Sequence, residues 1–143
     1  MPTEETKKLL RRWGEVWTEG KTAALTGMDE ICSPDILFHA GIGRDIRGLE
    51  GSKQYTSEFY DAFPDAQFTL NDVIVEGDKG VLRYTVTGTS KGAVMGISPN
   101  NKKVRFWVIE IDRFAGGKLV ECWVRFDTLN LMQQLGAVPA PKK

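Results

Sequence analysis

The periodicity of this chain changes once, at Pro64, and that change constrains the fold more than any single motif. Before Pro64, apolar residues recur every three to four positions; after it, they alternate with polar ones. A helical stripe and a two-faced strand each need something to cover their apolar side. Helices followed by strands in a chain of 143 residues therefore imply helices laid on a single sheet.

On the helical side, Leu9, Leu10, Trp13, Val16 and Trp17 share one face of a helix expected from Thr3 to Thr18. Lys7, Lys8, Arg11, Arg12 and Glu15 cover its other faces, and Gly20 suits its stop. A shorter helix is expected over Thr22 to Ile31. Ser33-Pro34-Asp35 reads as a turn into a brief strand, Ile36 to His39, and AGIGRDIRG reads as loop. Helix resumes near Glu50, with Tyr55, Phe59, Ala62 and Phe63 on one face. It ends at Pro64, because a proline pushes the residue before it out of helical geometry.

On the strand side, Gln67 to Val75 and Gly80 to Thr89 make a hairpin across EGDKG. KGAVMGISPNNKK is loop, and Val104 to Phe114 and Lys118 to Phe126 make a second hairpin across AGG. Asp127 then stands where an N-cap carboxylate accepts the amide hydrogens of a closing helix, Thr128 to Leu135, with Gly136 just past its end. The expected class is α+β: a curved antiparallel or mixed sheet wrapped around three to four helices. One domain is expected over 1–143, its core at about 5–136 and the tail 137–143 frayed.

Composition narrows function by exclusion. Lys and Arg total 19, as do Asp and Glu, so the basic excess of a nucleic-acid binder is missing. The N-terminus has no apolar signal core and no apolar run reaches membrane-spanning length, which makes the cytoplasm the default compartment. Cys32 and Cys122 are in no metal or redox spacing and are expected as reduced thiols. His39 is the only histidine, so no metal site is expected. GIGRDIRG lacks the strand–loop–helix setting of a phosphate loop. No cofactor, nucleic-acid partner or membrane partner is expected.

SPDILFH, FYDAFPD, TGTSKGAVMGISPNNK and RFAGGKLVECW, with a following Asp and QLG, succeed one another from about Leu9 to Gly136. In that order they resemble the SnoaL-like polyketide cyclases, of the nuclear-transport-factor-like superfamily of α+β cones. The resemblance implies a cone-shaped α+β barrel with a largely apolar pocket between sheet and helices, and a homodimer. It also implies ring closure by intramolecular aldol condensation without a cofactor. In such enzymes an aspartate on the last strand takes a proton next to a carbonyl, and polar neighbours and histidines stabilise the enolate. Aligned on RF-GGK and Asp127, that aspartate falls on Val124, which cannot accept a proton. Family histidines fall on Glu110, Cys122 and Ser90.

Strand parity sorts the remaining candidates. Cys122, Val124 and Phe126 share one face of the last strand, while Glu121, Trp123 and Arg125 share the other. The expected pocket set is Glu110, Cys122, Val124 and Phe126, with Arg83 from the adjacent strand and Trp17 and Tyr55 from the helices. Glu110, between Ile109 and Ile111, is the acid or base replacing the aspartate, the partner of a cation such as Arg83, or a solvated rim group. His39 is the second catalytic candidate, or a rim group. Trp107 and Trp123 are expected on the outer face or in a dimer contact.

The expected function is binding of a small hydrophobic organic molecule, with proton-transfer, aldol-type cyclisation or isomerisation. The alternative is a non-catalytic ligand-binding or dimerisation module. The epoxide-hydrolase branch needs an R-x-D pair and a last-strand aspartate, where this chain has Arg83, Thr85 and Val124, and is set aside. The ketosteroid-isomerase branch needs a tyrosine with two acids, of which Tyr55 and Glu110 supply only part.

Overall fold

The computed structural model describes residues 2–139. Its elements are α1 (Thr3–Thr18), α2 (Lys21–Ile31), β1 (Cys32–His39), β2 (Asp45–Arg47) and α3 (Leu49–Ala62), then β3 (Gln67–Glu76), β4 (Lys79–Thr89), β5 (Lys103–Ala115), β6 (Lys118–Phe126) and α4 (Thr128–Gln134). Strands β3 to β6 form an antiparallel meander. β6 then pairs in parallel with β1, whose other edge carries β2. The result is an open, mixed sheet in the order β2-β1-β6-β5-β4-β3.

The period-two pattern sets which face is covered. On β5, Val104, Phe106, Val108, Glu110, Asp112 and Phe114 point inward, while Arg105, Trp107, Ile109 and Ile111 point outward. Leu10 and Trp13 of α1 are buried over the sheet and Val16 against Gly27 of α2, each apolar side chain contributing about 1.5–3 kcal/mol when fully removed from water. Gly80 makes this approach possible: a Cβ there would collide with Leu10. At the far end, the Asp127 carboxylate accepts the Asn130 N–H at 2.9 Å, and Gly136 leaves the helix with φ of 77°, as the N-cap and stop predict.

Element boundaries differ from the sequence reading by more than one residue only before α3. β1 begins at Cys32 rather than Ile36, with a register shift between Cys32 and Leu37. Pro34 falls in that irregular stretch, where a missing N–H breaks no regular ladder. AGIGRDIRG is not all loop, since Asp45–Arg47 pairs with Leu37–His39. Three residues are too few to show a period. The frayed tail was expected at 137–143, and residues 140–143 lie outside the described residues. Among the described residues no helix is long and apolar enough to cross a membrane. Cys32 and Cys122 are buried and unbridged.

Candidate functional site

A cavity of about 290 Å³ lies between the inner face of the sheet and the helices. Residues one helical turn apart supply one wall: Trp13 and Trp17 of α1, and Tyr55 and Phe59 of α3. Alternate strand residues supply the other: Tyr84 and Val86, Phe106 and Val108, Val124 and Phe126. Aromatic rings meet edge to face around it, as Trp13 does with Trp17 at 5.5 Å between centroids. The β4–β5 loop adds Ala93 to Met95. Polar groups gather at Arg44, whose guanidinium lies 5.7 Å from the Tyr55 ring centroid and 3.9 Å from Glu58.

Glu110 is the exception in the apolar strand wall. It is 6% exposed, and among the described residues no Lys, Arg or His forms an ion pair with it. The Cys122 thiol donates to its Oε2 at 3.0 Å. Asp112, two residues along and on the same face, is fully buried, and neither of its carboxyl oxygens has a donor. The Trp13 indole N–H influences Glu110 yet closes no hydrogen bond of good geometry. Burial raises the pKa of Glu110 and outweighs the hydrogen bonds, that from Cys122 first, which favour its ionised form. Burial, followed by the charge of Glu110, holds Asp112 well above the usual carboxylate range.

The donor atoms of Glu110, Asp112 and Cys122 all lie within 4.8 Å of one another, close enough to surround a cation. Burial also pushes the Cys122 thiol well up, and its hydrogen is committed to Glu110. A metal would need the thiolate, so the cluster is proton-linked rather than a ready set of ligands. Burial of this kind, which lifts a carboxyl above its ordinary range, is a feature of groups that exchange protons in active sites.

Of the side chains expected in the pocket, Trp17, Tyr55, Glu110, Val124 and Phe126 meet at the cavity. Cys122 stands behind Glu110, completely buried. His39 and Arg83 lie elsewhere, which corrects the positions expected for them. The His39 ring bonds Asp45 at 2.7 Å and Glu121 at 2.9 Å, and stacks on Trp123. Arg83 donates to Asp72 at 2.6 Å and covers the Trp107 ring. Parity explains the correction: Glu110 stands opposite Leu82, whereas Arg83 stands opposite the outward Ile109. Asp112 was missed, although its spacing of two from Glu110 was a usable signal.

Residues 7–135 match the family model of the SnoaL-like polyketide cyclases. The chain belongs to this family. Similar solved structures include AclR, a candidate hydroxylase from Streptomyces galilaeus, at 29% identity and a TM-score of 0.82, covering 99% of this chain and 87% of AclR. TsrD from Streptomyces laurentii gives 26% identity and a TM-score of 0.81, covering 96% of this chain and 99% of TsrD. A candidate SnoaL-like polyketide cyclase from a Jannaschia species, at 22% identity, shares the fold with a TM-score of 0.85, covering 96% and 95% of the two chains. No curated protein matches the chain. Within this SnoaL-like fold, Val124 stands directly opposite Glu110 in the β5–β6 register, so the two side chains face the same hollow from neighbouring strands.

Proposed function

We propose that this SnoaL-like protein binds a small hydrophobic carbonyl compound and moves a proton at the carbon next to its carbonyl, with Glu110 as the acid–base group. The outcome is aldol-type cyclisation or isomerisation without a cofactor. One observation carries this reading: Glu110 is buried in an apolar cavity wall with no cation beside it among the described residues. A carboxyl kept only for stability is expected to be paired or solvated, because an uncompensated buried charge costs several kcal/mol. A raised pKa suits a base that must hold its proton during the reaction. Trp13 and Trp17 line the cavity, and their buried indole N–H groups have no hydrogen-bond partner. Either can donate to an oxygen that becomes negative as the proton leaves.

Pure ligand binding is the second reading, favoured by Val124 at the position where the family resemblance places an aspartate. One experiment separates them. 2-Tetralone, a bicyclic ketone with acidic α-hydrogens, is incubated with the protein in D2O and followed by proton NMR. The expected result is α-hydrogen exchange well above background, falling about 100-fold or more in E110Q. Binding of 2-tetralone with exchange at the background rate would leave only the binding module.

We further propose that a second copy covers the outer sheet face, where Trp107, Ile109 and Ile111 are exposed. The unbridged thiols of Cys32 and Cys122 suit a reducing compartment such as the cytoplasm.

A further inference from the structure

Asp112 has no task in the site as described so far. It does not line the cavity, yet it is completely buried and both its oxygens lack a donor. Such orphaned oxygens are rare in folded proteins and ask for a cause. Among the described residues, the polar groups that surround the Glu110–Asp112 pair can be named. Cys122 comes from β6, Cys32 from the start of β1, Tyr84 from β4 and Trp13 from α1, with Tyr60 of α3 behind Tyr84. None of them is a cation. Lys118 is directed to the Glu30 carbonyl at 2.6 Å, and Arg113 to Glu121. The charge of the pair is therefore not balanced by a basic side chain among the described residues.

Two ionised carboxylates are acceptors only, so at this spacing they can only repel. One proton between them turns the same contact into an O–H···O⁻ hydrogen bond and halves the buried charge. The position of that proton follows from the neighbours. Glu110 already receives the Cys122 S–H and borders the cavity, both of which favour negative charge on Glu110. Asp112 is the deeper of the two and has no other donor.

We propose that Asp112 is a positioning residue for Glu110: the pair shares one proton, carried by Asp112, whose O–H donates to the Glu110 carboxylate where a cation would otherwise stand. This rests on the acid–base reading of Glu110 for its use in catalysis, while the sharing itself requires no turnover. It gives a buried base that can ionise, aimed at the cavity and held at one angle. Asn at 112 keeps a donor and keeps the arrangement; Leu at 112 removes it.

The test is carbon-13 NMR of the carboxyl carbons of the full chain, labelled at Asp and Glu, titrated from about pH 5 to about pH 9. The expected result is one buried carboxyl that stays protonated throughout, assigned to Asp112 by its loss in D112N, and one that ionises within the range, assigned to Glu110 by its loss in E110Q. In D112N the Glu110 midpoint stays within about half a unit of wild type; in D112L it rises by about one unit or more. Both carboxyls ionised at about pH 8, or the lasting proton found on Glu110, would overturn the proposal. A stoichiometric metal ion in the purified protein would do the same. These readouts need only the wild type and the two isosteric variants, so they stand even where D112L does not fold. They are also independent of 2-tetralone exchange: a shared proton without exchange removes the acid–base reading and keeps the dyad, and exchange without a shared proton does the reverse.

Discussion

Glu110 and His39 are both titratable groups whose neighbours raise their pKa, for different reasons. Glu110 is raised by burial, which penalises its anion. His39 is raised by its hydrogen bond to Glu121 and then by that to Asp45, which favour its cation. For His39 the resulting stabilisation is fully present below the ordinary value of 6.5 and is lost as pH rises through the higher folded-state value. Glu121 is depressed in turn, first by His39, so its share is present above the ordinary carboxylate value and lost as pH falls through the lowered one. The network is therefore strongest between those limits. H39N is expected to lower stability clearly at about pH 6 and much less at about pH 9, read by urea denaturation at both. An equal loss at the two pH values would mean that the ring acts by stacking on Trp123 alone. The sequence showed His39 as the only histidine, but it could not show that its strand turns it away from the cavity.

At the scale of elements, β5 carries most of the design. Its inward side chains build core and cavity wall at once, and the change from Val108 to Glu110 and Asp112 marks where apolar packing gives way to buried carboxyls. α4 depends on a single side chain at its start, since only the Asp127 carboxylate caps it. D127A is expected to cost about 1 kcal/mol in urea denaturation while leaving 2-tetralone affinity unchanged. A loss of affinity would show that α4, through Leu131, shapes the cavity more than the cap energy implies. Long elements were legible because α1, α3 and the two hairpins each repeat their pattern several times. β2 was not, because three residues repeat nothing.

For the whole molecule, the sheet's two faces have different fates. The inner face closes on helices and cavity, whereas the outer one leaves Trp107 at 57%, Ile109 at 46% and Ile111 at 43% exposure. Three neighbouring large apolar side chains left in water are the surface on which the proposed second copy is expected to sit. I109K is expected to convert a wild-type dimer into a monomer at micromolar concentration, measured by sedimentation velocity, with little change in the melting temperature of the protomer. A monomeric wild type under the same conditions removes the second copy from this account.

The sequence by itself determined the α+β class, the meander and the cap at Asp127. Each follows from a local rule, a period or a cap, that acts within a few residues. Only the tertiary structure decided that β1 runs parallel to β6, that His39 and Arg83 face outward, and that Asp112 is sealed beside Glu110. Those outcomes depend on strand register and on which distant segments meet. Such pairings are selected by the total area buried and by the avoidance of unpaired charge, which no window of the chain contains.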